Sequence, residues 1–277
     1  MPLHTGARGL ADDAAVVEFG SETLILTHDV MVEGRHFLRS QDPADIAWKL
    51  VATNLSDLAA KGAVPVGVLL GHMLGENDAR FLEGLEEVLT HYGVQLLGGD
   101  TVAGVDARTL GLTAIGRASH TPVPSRGGAQ IGDAIFVTGT LGAAMLGFEA
   151  VRDDAPGDII PYVRPFARLA EGESLAPLAH SMMDVSDGLL LDAFRMAEAS
   201  EASFAIDSAL VLVADPDRRQ DCMTWGDDYE LLFTLPAGTY PPVPATQIGM
   251  VEPQGFAPLF LDAEPVTNPH GLGYLHS

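Results

Sequence analysis

Hydrophobic and polar positions change period several times along the chain, and each change predicts an element. Ala14 to Phe19 and Thr23 to Thr27 are apolar and β-branched runs around Gly20-Ser21, which predicts two strands joined as a hairpin. From Asp42 the period becomes helical. Asp42 supplies an N-cap, Pro43 fits the first helical position, Gly62 lies just past the end, and Ile46, Leu50, Val51, Leu55 and Leu58 recur at helical spacing. Asn54 and Asp57 fall on the edge of that stripe, placed to satisfy each other or to face a ligand. Val64 to His72 predicts a buried strand and Asn77 to Tyr92 a helix stopped by Gly93. Val94 to Leu97 predicts a strand running into Gly98-Gly99, and Thr109 to Arg117 one more.

Pro122, Pro124, Gly127 and Gly128 punctuate Ser119 to Gly132, which marks a linker and divides the chain into residues 1–121 and 122–277. Beyond it the pattern restarts with a strand at Ala134 to Val137, a turn at Gly139 to Gly142 and a helix into Val151. Helices are predicted at Arg168 to His180 and Asp187 to Ser200, and strands at Met182 to Val185, Phe204 to Ile206, Tyr229 to Leu235 and Gln247 to Met250. The expected fold class is α+β in two domains. Its N-terminal half carries helices on one side of a sheet, and its C-terminal half alternates helices with strands.

Composition narrows the partners. With 277 residues and 47% hydrophobic content the chain can bury a large core. Its 38 acidic residues against 15 basic ones give a net charge of −23, which repels nucleic-acid backbones and anionic membrane surfaces, so neither is expected as a partner. Lys49 and Lys61 are the only lysines, so a phosphate ligand would have to arrive with cations. The single cysteine, Cys222, excludes an internal disulfide and a cysteine-based zinc cluster. The first residues have no apolar signal region, and the most apolar stretch, Val64 to Leu74, is broken by Gly67, Gly71 and His72; a cytoplasmic protein is expected.

Five aspartate motifs interrupt or close apolar stretches: Ala11-Asp12-Asp13, Thr27-His28-Asp29, Leu55-Ser56-Asp57, Gly98-Gly99-Asp100-Thr101 and Asp184-Val185-Ser186-Asp187-Gly188. Taken alone, each has an ordinary reading as a turn, a strand end or a helix cap. Together they point to chemistry, because carboxylates beside buried backbone are costly unless paired or metal-bound, and the chain has too few cations to pair them all. Hard Mg²⁺ ions take such oxygens together with substrate phosphates. The chain has no Gly-x-x-x-x-Gly-Lys-Ser/Thr loop, and Gly139-Thr140-Leu141-Gly142 lacks dinucleotide-fold spacing, so a nucleotide enzyme here needs another architecture.

With Val32-Glu33-Gly34-Arg35-His36-Phe37, Asn54 to Ala63 and Gly226-Asp227-Asp228-Tyr229-Glu230-Leu231, these motifs resemble the thiamine-monophosphate kinase family. That family belongs to the aminoimidazole ribonucleotide synthetase-like ATP-binding superfamily, and the resemblance runs from Gly9 to Tyr274. It implies a mixed N-terminal sheet that binds ATP and Mg²⁺ and forms a homodimer, followed by a C-terminal α/β domain. It also implies transfer of the ATP γ-phosphoryl group to thiamine monophosphate, directly and in line, with several Mg²⁺ ions and no acid/base or nucleophilic residue. By position, Asp13, Thr27, His28, Asp29, Asp57, Asp100, Asp184 and Asp187 fall on family metal ligands. Gly99, Asp100, Arg126 and Ser186 fall on nucleotide contacts, and His36, Asp227 and Tyr274 on substrate contacts. Ala11, His28 and Asp227 depart from the family's usual glycine, threonine and glutamate; a backbone carbonyl at position 28 would survive that change, and a side-chain hydroxyl would not. The family's usual extra N-terminal helix is not in this sequence, which implies a less covered site. A different superfamily member, or a nucleotide-binding protein without catalysis, are the other readings.

Overall fold

The computed structural model describes residues 3–275. The first hairpin forms strands β1 (Ala15–Phe19) and β2 (Glu22–Val32). With β3 (Ala63–Met73), β4 (Leu96–Val102) and β5 (Thr109–Ala118) they make a mixed sheet in the order β1-β2-β5-β3-β4. β2 continues past Thr27 because β5 pairs with it antiparallel from Leu24↔Arg117 to Val32↔Thr109. β3 and β4 are parallel, joined by a helical crossover.

Helices α1 (Pro43–Ala59) and α2 (Asp78–Tyr92) cover one face of this sheet. Asp42 caps α1 through Ala44 N at 3.0 Å, with Pro43 at the start. A Cβ on Gly84 of α2 would fall 2.3 Å from Ala44 Cα, so the glycine sets how closely the two helices approach. The opposite face of the sheet is open. β3 is therefore not the buried strand its sequence predicts: it alternates, with Val64, Val66 and Leu69 turned outward, beside a β4 exposed along its length. Gly98, Gly99 and Asp100 continue the edge strand rather than ending it in a turn or cap.

The second half forms a seven-stranded mixed sheet from β6 (Ala134–Thr138), β7 (Ser181–Asp184), β8 (Ala202–Ile206), β9 (Leu231–Leu235), β10 (Ala245–Pro253), β11 (Leu259–Leu261) and β12 (Glu264–Val266). Their order is β12-β11-β8-β10-β6-β9-β7. Its helices are α3 (Ala143–Asp153), α4 (Ile160–Val163), α5 (Leu169–Leu175), α6 (Leu189–Ala199) and α7 (Arg219–Thr224). The helix predicted to reach His180 stops at Leu175, since Pro177 has no N–H to continue the ladder. The one predicted from Asp187 starts at Leu189, with Gly188 at φ 110° as its cap. The short elements α4, α7, β11 and β12 carry no period long enough to announce them.

What positions the site is α1. Every residue of it except Pro43 and Asp45 is buried, including Lys49, Thr53, Asn54, Ser56 and Asp57. The sequence predicts an apolar stripe on the first sheet; the structure also packs α4, α5 and β7 of the second half against the helix, so its polar face is enclosed too. Leu50, Leu55 and Leu58 have no exposed surface, and each contributes roughly 1.5–3 kcal/mol by leaving water. Among the described residues, no helix is long and apolar enough to cross a membrane.

Candidate functional site

Where the two halves meet around α1 lies a cleft of about 750 Å³. Its floor is acidic. Asp13 comes from the segment before β1, Asp57 from the last turn of α1, and Asp184 from the last position of β7. One carboxylate oxygen from each lies within 4.8 Å of the others. Sequence separation is large, so this convergence is a product of the fold.

The three carboxylates have different partners. Asp13 meets two cations, Arg126 Nη2 at 2.5 Å from Oδ1 and Lys61 Nζ at 2.7 Å from Oδ2. Burial pushes its carboxyl up, but Lys61 and then Arg126 outweigh that and hold it below the ordinary range. Asp57 accepts a hydrogen bond from the Thr27 hydroxyl, and Asp184 accepts one from Ser56 Oγ at 2.6 Å. Among the described residues, no lysine or arginine forms an ion pair with either. Burial first, then repulsion from Asp29, Asp184 and Asp13, pushes Asp57 well above 3.8; burial and then Asp13 push Asp184 up to about 8.

Other predicted residues surround this floor. Asp29 lines the cleft, and its N–H donates to Asn54 Oδ1 at 3.0 Å, so Asn54 acts on the end of β2 rather than on Asp57. Ser186, Asp187, Arg126, His36, Asp227 and Tyr274 also line it. Thr27 reaches it through Asp57. The His28 side chain lies on the opposite face of β2, 2.9 Å from Thr113 Oγ1, because residues alternate across a strand. Gly99 and Asp100 sit on exposed β4, outside the cleft; a Cβ on Gly99 would fall 1.9 Å from Leu70 O.

Several functional neighbours escape a sequence reading. Lys61, fully buried, also bonds Asp12 at 2.5 Å and so ties both aspartates of the first motif to the end of α1. Asp192 accepts the backbone N–H groups of Ser186 and Asp187 at 3.1 and 3.0 Å, which fixes the loop after Asp184. Burial, with Asp187 nearby, pushes its carboxyl up to about 7. Its place one turn into α6 was the available signal. At the other end of the cleft Lys49 Nζ lies 2.7 Å from Asp227 Oδ2, donates to His36 O at 3.2 Å and sits 4.0 Å from the Tyr162 ring centre. Tyr229 Oη donates to Asp227 Oδ1 at 2.9 Å. His36 Nδ1 accepts from Val32 N at 3.0 Å, which leaves the proton of a neutral ring on Nε2.

Fold and cleft together define an AIR synthase related protein. The N-terminal domain model of that family matches residues 11–118 and the C-terminal domain model residues 130–259. The thiamine-monophosphate kinase of Escherichia coli (strain K12) is 37% identical, across 94% of this chain and 89% of that one. The structure of AaThiL complexed with AMPPCP and TMP superposes with a TM-score of 0.85 at 30% identity, covering 95% of this chain and 92% of the other. A thiamine-monophosphate kinase from Stenotrophomonas maltophilia K279a gives 0.81 at 31% identity, over 96% and 92%. The chain belongs to the thiamine-monophosphate kinase family.

Proposed function

We propose that this chain transfers the γ-phosphoryl group of ATP to thiamine monophosphate, giving thiamine diphosphate and ADP. The observation that carries the reading is the meeting of Asp13, Asp57 and Asp184 in one cleft, with two of the three lacking a cationic partner. An acceptor phosphate oxygen attacks the γ-phosphorus in line as the bond to the β,γ-bridging oxygen breaks, and ADP leaves with that electron pair. The acceptor oxygen is already ionised, so no side chain has to remove a proton.

The donor set fits Mg²⁺. It is all oxygen and buried, and two of its three carboxylates, Asp57 and Asp184, have no cationic partner among the described residues. Asp13, Asp57 and Asp184 would hold such ions, with Asp29 and Asp187 beside them and Thr27 orienting Asp57. Bound Mg²⁺ supplies charge neutralisation between two anionic reactants. Arg126, whose buried Nε has no hydrogen-bond partner, has a donor to offer a phosphate, and Asp192 keeps the Ser186-Asp187 backbone in register. His36 and Asp227 hold the acceptor side, with Tyr274 at the rim.

The same reading includes a cytoplasmic homodimer. Support for a dimer is the open face of the first sheet, where Val64, Val66, Leu69 and Leu96 are between 39% and 47% exposed. His28, through its carbonyl, Gly99 and Asp100 enter the proposal as ligands from the family pattern; the last two need a second subunit or a movement of β4 to meet a nucleotide.

The test is formation of ADP and thiamine diphosphate from ATP and thiamine monophosphate with Mg²⁺. Asp57→Asn should lower turnover by roughly a hundred- to a thousand-fold. Turnover that is indifferent to Asp57, or to removal of divalent ions by EDTA, would falsify the site.

A further inference from the structure

The reaction uses the floor of the cleft and leaves its far wall unassigned. Phe148 of α3, Tyr162 of α4 and Trp225, just past α7, form that wall. The Phe148 and Tyr162 rings lie 5.3 Å apart at 72°, and Phe148 and Trp225 lie 5.0 Å apart at 35°. Trp225 is 37% exposed, a large apolar ring left open to the cleft rather than folded into the core.

The bases around the wall are already engaged. Arg218 is held by Glu149 at 2.7 Å and by Asp221 at 3.1 Å, Lys49 by Asp227 at 2.7 Å, and Arg152, over the Phe148 ring, by Asp153 at 2.6 Å. Each of these bases already has a carboxylate. With Lys49 over the Tyr162 ring and Arg152 over the Phe148 ring, the ring left to a ligand is Trp225, whose π face suits a flat cation.

The wall is also registered to the floor. Gly226 has φ 93°, and a Cβ there would fall 2.4 Å from Ser186 O. Asp227 and Tyr229, with φ 58° and 51°, continue this left-handed stretch, and Asp227 N donates to Ser186 O at 2.9 Å. Trp225 therefore stands at a set position relative to Asp184.

We propose that Trp225, with Phe148 beside it and the buried Tyr162 behind, is the specificity-determining surface for the cationic heteroaromatic part of the acceptor, so that the cleft selects a phosphate ester carrying such a ring. This rests on the kinase reading above, whose acceptor has a quaternary thiazolium.

Steady-state kinetics and tryptophan fluorescence test it. Trp225→Ala should raise KM for thiamine monophosphate about tenfold and leave KM for ATP within about twofold, whereas Trp225→Phe should recover most of the loss. A neutral thiophene analogue of thiamine monophosphate should bind wild type about tenfold more weakly than the cation, and this preference should collapse in Trp225→Ala. Asp221→Asn, which removes a carboxylate one turn before Trp225 without touching a ring, should reduce the preference about threefold. Trp225 and Trp48 are the only tryptophans, and Trp48 is buried, so unphosphorylated thiamine should quench wild-type emission and spare Trp225→Phe. An unchanged KM for thiamine monophosphate in Trp225→Ala, an equal rise for ATP, or quenching that survives in Trp225→Phe overturns the wall. Absence of turnover in wild type overturns the kinase reading instead, and thiamine quenching still decides the wall.

Discussion

Lys49 and Lys61 are one residue type in one stretch of chain, both almost fully buried and both ion-paired, Lys49 with Asp227 of the other half and Lys61 with Asp12 and Asp13 of its own. Their surroundings differ. Lys61 lies between Asp12 and Asp13, whose side chains are 4% and 3% exposed and which also meet Arg8 and Arg126, so five charges depend on one another with little help from water. Lys49 meets an Asp227 that is 29% exposed and already bonded to Tyr229. The first lysine holds a structure together under electrostatic load, and the second orients a ligand-facing group. Burial of the lysine alone does not distinguish these jobs; the exposure of its partner does.

Removing each head group should widen that difference. Lys61→Met keeps the volume and takes one of two cations from each of two buried carboxylates, leaving Arg8 on Asp12 and Arg126 on Asp13, so denaturant unfolding without divalent ions should show a loss of about 3 kcal/mol, the lower end for a broken buried pair. Added Mg²⁺ should recover part of it. A loss no larger than that of an exposed lysine would mean the acidic floor is solvated and the contrast is false.

A second comparison sets Asp184, without a cation, against Asp13, which has two. Asp184 is raised from 3.8 to about 8, so between those values the folded protein keeps a proton that the unfolded chain has lost. That stability is complete below about pH 4 and drains away as pH rises toward 8, by on the order of 1 kcal/mol per pH unit. Asp13, lowered, contributes in the opposite sense, and only as pH falls below 3.8. Melting temperature measured from pH 5 to 8 should therefore fall in EDTA and stay flatter in Mg²⁺. A rising profile in EDTA would show that Asp184 is ionised in the folded protein.

The smallest effect is expected at the other lysine. Lys49→Met should cost about 1 kcal/mol or less, because water can reach Asp227, yet should raise KM for thiamine monophosphate severalfold. Equal destabilisation by the two lysine substitutions would erase the distinction drawn between them.

Local signals made much of the fold legible. Asp42-Pro43 announced α1, Gly93 ended α2, and the Pro- and Gly-rich stretch after Ser119 separated the two sheets. The aspartate motifs also pointed to where Asp13, Asp57 and Asp184 gather, since each breaks an apolar run. Tertiary information was out of reach. Nothing near Lys61 in the chain reveals Asp12, and nothing near Trp225 reveals Phe148, because both pairings span distant segments. The sequence reads Asn54 and Asp57 on the edge of α1 as a mutual pair or as facing a ligand, and that β7 and α5 pack over this side lies in the tertiary structure alone. Asp100 shows the converse: a motif that reads as part of the site stands outside it in a single copy.

One rod spans the distance between the two chemistries. Lys49, at the aromatic end, and Asp57, at the acidic end, belong to the same unbroken helix, eight positions apart, or about 12 Å of rise. α1 therefore works as a gauge: it meters how far a ring may stand from the phosphate it carries. A residue added or deleted between those two positions would both slide and turn the acidic end by about 100°, so acceptor length is written into the register of a single element.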